Sequence, residues 1–312
     1  METVLITGGS GFLGRELALK LKKNYKVILG SRNNGLNQEA QVYTNCEAIP
    51  LDICSISSVY DAFNLVKPDI VIHAGATKFV NISEFQPMEC IDVNVLGSQN
   101  IARISIEKSV NTVIGISTDK AAPPVNHIYG NSKALMEKMF NSLNASSDTN
   151  FSCVRFGNIA WSTGSVFPLW KQMMELNEKI ESTGPNMKRF FFSVSDAADL
   201  VIRNLNNIEL TNGKILSMQM KASKISRILD VWNKLYGTAW VEIDRRPGDT
   251  DHESMIGFTE LQYTSEVTID SIKHFLTSSF EQSKNHIKEV VSTENADSHS
   301  EEEIIQLIKI GM

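Results

Sequence analysis

Four consecutive residues, Ser117-Thr118-Asp119-Lys120, followed by Tyr129 and Lys133, bring hydroxyls, a carboxyl, two amines and a phenol into one short stretch. Tyr129 and Lys133 are spaced to share one face of a helix, a turn apart. A lysine ammonium there, with a nicotinamide charge nearby, lowers the phenol pKa and makes a base available near neutral pH. Thr118, at the end of an apolar run, is placed to hydrogen-bond the hydroxyl being oxidised. Asp119 and Lys120 add an acid and a base side by side, which a plain oxidation does not need. Once a sugar C4 hydroxyl becomes a ketone, the C5 proton turns acidic. Lys120 as base can then remove that proton while Asp119 as acid helps the C6 hydroxyl leave as water, and the hydride taken from C4 is given back at C6. These roles ask for a neutral lysine and a protonated carboxyl, which desolvation and mutual coupling can provide. The plain alternative is a surface ion pair.

A second constellation opens the chain. In Thr7-Gly8-Gly9-Ser10-Gly11-Phe12-Leu13-Gly14, Gly8 permits a tight turn, Gly11 lets a pyrophosphate approach the backbone, and Gly14 lets a helix pack on a strand. The phosphates then meet the positive end of that helix. A carboxylate usually meets the ribose hydroxyls at the end of the second strand, but this chain has Ser31-Arg32 and no acid before Glu39. A hydroxyl and a guanidinium suit a phosphate, so NADP is expected, with NAD possible. Asp52 is placed either to accept from the adenine amino group or to cap the next helix. Ala74-Gly75-Ala76 are small enough for a cofactor to lie against the sheet edge.

These residues need a scaffold, and the apolar patterning describes one. Thr3–Thr7, Tyr25–Gly30, Glu47–Leu51, Ile70–Ala74, Thr112–Ile116 and Phe151–Phe156 read as strands. Helical patterns at Gly11–Lys23, Val59–Val66, Met88–Lys108 and Tyr129–Asn144 separate them, which implies a Rossmann-like doubly wound parallel sheet of the α/β class. Residues 1–160 are expected to form the NADP-binding domain, with a returning segment at about 190–220. Residues 161–312 are expected to form mainly a smaller substrate-binding domain, interleaved with the first. Ser300 followed by Glu303 reads as a capping box opening a last helix through Ile308.

Of the 312 residues 42% are hydrophobic and 21% charged, ordinary for a globular protein, and the net charge of -6 argues against nucleic acid as a partner. Cys46, Cys54, Cys90 and Cys153 show no metal or disulfide spacing and read as reduced packing residues. No apolar run reaches bilayer length, and the first strand begins almost at Met1, so no membrane partner is expected and a cytoplasmic location is.

With these residues in place, the chain resembles the extended short-chain dehydrogenase/reductases, where Tyr-x-x-x-Lys is the familiar pair. Within them it resembles the inverting UDP-N-acetylglucosamine 4,6-dehydratases of the polysaccharide biosynthesis type. The similarity is carried by HAGATKFV (73–80), ECIDVNVLGSQNI (89–101), STDKAAPP (117–124), VRFGNIAWSTGSVFP (154–168), MKRFFFSVSDAADLV (187–201) and RPGDTDHESMI (246–256). The resemblance implies that Thr118, Tyr129 and Lys133 form the oxidation centre and Asp119 and Lys120 the elimination centre. It implies cofactor contacts from Thr7, Gly8, Ser10, Gly11, Phe12, Leu13, Gly14, Ser31, Arg32, Asp52, Ile53, Ala74, Gly75, Ala76 and Lys78, as well as Tyr129 and Lys133. UDP-sugar contacts are implied for Lys78, Asn158, Val166, Arg189, Arg246 and Glu253, with no metal. A homo-oligomer is also implied.

The chain departs from the family pattern at Phe79 and Thr163, where cations are usual, and in Gly248-Asp249-Thr250-Asp251-His252-Glu253. The Lys120–Tyr129 interval, with His127-Ile128 before the tyrosine, is one residue longer than usual. The implied reaction is C4 oxidation, loss of water across C5 and C6, and hydride return to C6. The alternatives are an epimerase or 4-reductase of the same fold, a dehydratase that stops at a 5,6-unsaturated sugar, or a non-enzymatic NADP-binding regulator.

Overall fold

The computed structural model describes residues 1–245 and 248–312; Arg246, expected at the substrate, lies outside the described residues. The first half alternates strictly: β1 (Thr3–Thr7), α1 (Phe12–Leu21), β2 (Lys26–Ser31), α2 (Asn34–Thr44), β3 (Glu47–Pro50), α3 (Ile56–Val66) and β4 (Ile70–His73). Then come the short α4 (Val80–Phe85) and α5 (Pro87–Ile91), a π-helical turn at Asp92–Leu96, α6 (Gly97–Glu107), β5 (Thr112–Ile116), α7 (Ile128–Asn144) and β6 (Asn150–Val154). The second half holds β7 (Asn158–Ile159), α8 (Val166–Glu175), β8 (Ile180–Thr183), β9 (Lys188–Phe192), α9 (Val194–Asn206), α10 (Ile208–Thr211) and β10 (Lys214–Met218). It ends with β11 (Ala222–Lys224), α11 (Ile225–Tyr236), β12 (Trp240–Ile243), β13 (Ser254–Ile256), β14 (Thr264–Ile269), β15 (Ile272–Ser278), β16 (Val291–Ser292) and α12 (Glu301–Lys309).

The main sheet has the order β14-β15-β10-β6-β5-β4-β1-β2-β3. From β3 to β10 every pairing is parallel, as expected of strands that are apolar on both faces. Val4, Leu5 and Ile6 illustrate this, each 0% exposed with helices on both sides. The chain order around β1 places the Thr7 and His73 ends side by side, which is the crevice where such sheets bind ligands. β10 and α9 return to this sheet from beyond residue 190, and β15 and β14 then extend it antiparallel. The sequence alternation gave no sign of these last two strands.

Two elements differ from the sequence expectation. The single helix expected over Met88–Lys108 is three pieces, because the turn at Asp92–Leu96 widens to a π-helix. There Asn94 turns its amide back onto the backbone N–H and C=O of Thr77 at 2.9 and 3.0 Å. A second helix, α2, was not expected from its Asn- and Gly-rich sequence; Asn33 caps it by accepting from Leu36 N at 3.0 Å.

A separate aromatic core under the second half joins Trp161, Phe167, Trp170, Phe191 and Trp232. The last helix closes it: Ile304, Leu307 and Ile308 are buried there, and Trp161 Nε1 donates to Leu307 O at 2.8 Å. The capping box forms as read, with Ser300 N on Glu303 at 2.8 Å and Glu303 N on Ser300 Oγ at 3.2 Å. The acidic last helix therefore serves the fold of its own chain.

Candidate active site

The glycine loop has the shape a dinucleotide needs. Gly8 has φ +66°, and a Cβ there would lie 2.8 Å from Ala74 O, so the β1 and β4 ends touch backbone to backbone. At Gly14 a Cβ would sit 2.5 Å from Gly9 O, which keeps α1 tight on the strand. At Gly11, the N-cap of α1, no side chain caps the first turn and no acidic residue occupies it. The amides of that turn are left for an anion.

Thr7 Oγ1 accepts from Gly75 N at 3.1 Å and meets His73 Nδ1 at 2.7 Å, while His73 Nε2 meets Ser98 Oγ at 3.0 Å. Burial, aided by the Lys133 charge, pulls the His73 pKa down to about 3. His73 is thus a neutral strut between strand end and helix. Ile53, expected at the cofactor, is buried and reaches to Gly75 and Gly97. Phe12 and Leu13 are partly buried against the core, while Ala76 is exposed.

Ser10 and Ser31 share a hydrogen bond of 2.6 Å, and Ser31 also meets Asn37 Oδ1 at 2.6 Å. Arg32 beside them is exposed. Asp52 does not cap α3, whose N-cap is Ser55; it turns the chain before it, accepting from Cys54 N at 3.0 Å. Burial and Asp52 raise the Cys54 thiol pKa, with Arg32 acting against them, so the ends of β2 and β3 lie within one another's field.

The groups expected to react gather where β5 ends and α7 begins. Thr118 donates to Asp119 Oδ1 at 2.9 Å, and Lys120 Nζ meets the same oxygen at 3.1 Å. Asp119 is 1% exposed, and its Oδ2 has no hydrogen-bond partner. The plain alternative of a surface pair is therefore excluded by burial. Tyr129 and Lys133 both face inward, at 8% and 3% exposure. Burial raises the Tyr129 phenol to about 12, against the opposing Lys120 charge and a hydrogen bond with Thr118. The base near neutral pH that the sequence suggested is therefore not the form of Tyr129 in this cofactor-free site, and the charge that most opposes burial is Lys120, where the sequence suggested Lys133.

Burial lowers Lys133 to about 8. Among the described residues its ammonium has one hydrogen-bond partner, the Met136 sulfur at 3.3 Å. A buried ammonium without an oxygen acceptor, next to an open helix N-terminus and a glycine loop, fits a nicotinamide dinucleotide whose ribose hydroxyls would complete it.

Lys120 departs from expectation in its charge. Burial works against its ammonium, but the Asp119 and Glu253 carboxylates outweigh burial and the Arg189 charge, and its pKa is raised. The neutral lysine asked for by the sequence is not the resting form. Glu253 Oε1 lies 3.6 Å from Lys120 Nζ and 3.6 Å from Arg189 Nε. Arg189 donates further to Thr250 O at 2.7 Å and Lys188 O at 3.1 Å, so its guanidinium props the 250–253 loop. A cavity of about 190 Å³ opens beside these groups, lined by Asp119, Lys120, His127, Thr250, His252 and Glu253 among others.

The other expected substrate residues, Lys78, Asn158 and Val166, are not among those lining this cavity. Lys78 is solvent-accessible, and desolvation lowers its ammonium pKa. Asn158 donates to Phe190 O at 3.0 Å, and Val166 begins α8. Phe79 packs over Gly164, which brings the 77–80 and 162–165 loops together.

Two residues were missed. His127 caps α7, its Nδ1 accepting from Gly130 N at 2.9 Å; the extra residue before Tyr129 was the available signal. Asn94 donates to Ser132 Oγ at 2.9 Å and so ties the π-helical turn to α7. Its only sequence signal lay inside a segment that read as one helix. Among the described residues no group of His, Cys, Asp or Glu could hold a metal ion, and no helix is long and apolar enough to cross a membrane.

Comparison with known proteins bears on this arrangement. A family profile described as polysaccharide biosynthesis protein matches residues 4–274. The UDP-N-acetylglucosamine 4,6-dehydratase (inverting) of Campylobacter jejuni subsp. jejuni serotype O:23/36 is 31% identical over 278 residues, 85% of this chain and 80% of its own. A protein named UDP-glucose 4-epimerase from Rickettsia bellii is 32% identical over 277 residues, 83% of this chain and 79% of its own. The X-ray structure of Pen from Bacillus thuringiensis superposes with a TM-score of 0.89 at 27% identity, covering 98% of this chain and 96% of that one.

Proposed function

We propose, from the premise that this chain belongs to the polysaccharide biosynthesis protein family of extended short-chain dehydrogenase/reductases, that it is a nucleotide-sugar 4,6-dehydratase. Its substrate in this reading is UDP-N-acetylglucosamine, and its product is a 4-keto-6-deoxy sugar nucleotide inverted at C5. The observation that carries the reading is the buried Asp119–Lys120 pair, 3.1 Å apart and hydrogen-bonded through Thr118 to the oxidation centre. Tyr129 takes the C4 hydroxyl proton, and Thr118 orients that hydroxyl. A nicotinamide dinucleotide, when bound, supplies the acceptor for the C4 hydride and later its donor.

The ion pair is one proton transfer away from the form that eliminates water. Moving a proton from Lys120 Nζ to Asp119 gives an amine and a carboxylic acid with no change in net charge. The amine then takes the C5 proton, and the acid gives its proton to the departing C6 hydroxyl. Both groups end as the ion pair again, and when hydride returns to C6 the proton that Tyr129 took from the C4 hydroxyl balances the one that C5 must regain. Ser31 and the exposed Arg32, without a carboxylate beside them, favour NADP over NAD. A cytoplasmic location and a homo-oligomer complete the reading.

The relative named as a 4-epimerase supports a second reading, in which Tyr129, Thr118 and Lys133 act alone and the Asp119–Lys120 pair is idle. Incubation with UDP-N-acetylglucosamine and catalytic NADP, followed by mass spectrometry, separates the two. Loss of one water without NADPH accumulation is expected from wild type, and no water loss from Asp119→Asn or Lys120→Met. An isomer of unchanged mass from all three proteins would establish the epimerase instead.

A further inference from the structure

We infer that Glu253 and Arg189 are a positioning pair for Lys120, and that they do not hold the diphosphate of the substrate. The inference rests on the dehydratase reading and assigns these two residues a task within it. Glu253 is 9% exposed and has two cationic neighbours, Lys120 and Arg189, each at 3.6 Å. Its backbone is pinned as well: Glu253 N donates to Thr293 Oγ1 at 3.1 Å, and Thr293 N donates to Glu253 O at 2.8 Å. The carboxylate is therefore delivered to Lys120 by a fixed strand pair, β13 with β16.

Arg189 is equally committed. Its donors go to Thr250 O at 2.7 Å and Lys188 O at 3.1 Å, and it faces Glu253. A guanidinium with its donors spent on backbone carbonyls has little left for a diphosphate, whereas a carboxylate would repel one. Asp119, Lys120, Glu253 and Arg189 instead form a row of alternating charge with no net charge.

Such a row has a use in proton transfer at C5. As Lys120 takes the C5 proton, positive charge grows on Nζ, and a fixed carboxylate beside it stabilises that charge without reorganising. Arg189 holds that carboxylate in place and tempers it. The ionisable groups facing Lys120 are Asp119 beside it, Glu253 and Arg189 across the cleft, and Tyr129 on α7. His127 before α7 also feels its charge, and His252 shares the cavity.

The test is Glu253→Gln, with Glu253→Asp as a control that keeps the charge. Lys120 titration is followed by ¹⁵N NMR of lysine-labelled protein, and turnover is followed across pH with UDP-N-acetylglucosamine. An anion at this distance favours the ammonium, so its removal is expected to lower the Lys120 midpoint by about 1 pH unit. Because the pair works with one shared proton, activity falls where Lys120 loses that proton to solvent, and this falling limb of the pH–rate profile should move down by the same amount. The plateau should fall about tenfold, less than the loss of 10²-fold or more expected on removing the base itself. KM should stay within about twofold, as for a residue that does not touch substrate.

The aspartate variant should leave the midpoint near that of wild type. A large rise in KM at unchanged kcat would return Glu253 to direct substrate contact and overturn the inference. An unshifted Lys120 midpoint in an active enzyme would overturn it too. Failure of the dehydratase reading would look different: wild type would remove no water, while the Lys120 midpoint would still move in the glutamine variant.

Discussion

Replacing Lys133 by methionine should make this protein more stable while abolishing its activity. Lys133 is 3% exposed and, among the described residues, hydrogen-bonds only the Met136 sulfur. Burial brings its pKa from the ordinary 10.5 to about 8. At 1.36 kcal/mol per pH unit, that difference of about 2.5 is a cost of about 3 kcal/mol. The sign follows from proton binding. Below pH 8 both folded and unfolded chains carry the charge, and the folded one bears the full penalty. Between 8 and 10.5 the folded lysine is neutral while the unfolded one is still protonated, so the penalty fades as pH rises.

Methionine has a similar shape and no charge, so Lys133→Met removes the penalty without opening a cavity. For one cooperative transition in a chain of this length, about 3 kcal/mol corresponds to a rise in Tm of about 5 °C at pH 7. Calorimetry of the cofactor-free protein at pH 7 and at pH 10.5 measures both the gain and its disappearance. A variant no more stable than wild type at pH 7, or a gain that persists at pH 10.5, would refute the claim that Lys133 is held against its own desolvation for the sake of a ligand.

Other substitutions follow from contacts of similar clarity. Arg155, 1% exposed, forms paired hydrogen bonds with both Glu137 on α7 and Glu260, at 2.6 to 2.9 Å. Arg155→Met leaves those carboxylates without their cation and should cost about 3–5 kcal/mol in urea unfolding. Gly14→Ala drives a methyl to 2.5 Å from Gly9 O and should abolish dinucleotide binding in a fluorescence titration, with a lowered Tm. Arg32→Asp places a carboxylate where a 2′-phosphate is expected and should weaken NADP about 10- to 100-fold relative to NAD, the worth of one lost charge-assisted contact. An unchanged ratio would show that Arg32 takes no part in the choice.

The parts of this molecule that were legible in its sequence are those whose cause is local. Val4, Leu5 and Ile6 read as a strand because they are buried on both faces, and Ser300 with Glu303 read as a helix start because both bonds span three residues. The Asp92–Leu96 turn was hidden because its apolar spacing also suits an ordinary helix, and what widens it is Asn94 reaching Thr77. β14 and β15 carry strand-like residues, but nothing near them in sequence says that their partner is β10. In the site, motif spacing pointed to Thr118, Asp119, Lys120, Tyr129 and Lys133, which the fold brings together in buried or half-buried positions where β5 ends and α7 begins. The charge of Lys120 is favoured first by Asp119 within the motif and then by Glu253, remote in sequence, and that second influence could not be read from the motif.

That remote control orders the proposed reaction. Among the influences that work against burial at Tyr129, the Lys120 charge comes first. A phenolate is therefore easiest to form while Lys120 is an ammonium, and harder once it is an amine. Oxidation at C4 thus calls for the charged lysine, and removal of the C5 proton calls for the neutral one. Because Glu253 favours the ammonium, Lys120 rests in the form that oxidation calls for. Elimination becomes accessible only after the proton has moved to Asp119, 3.1 Å away. By then the C4 ketone has made the C5 proton acidic, so the amine appears when there is a proton for it to take. One lysine, answering to two carboxylates and facing one phenol, suffices to keep the two halves of the chemistry in sequence.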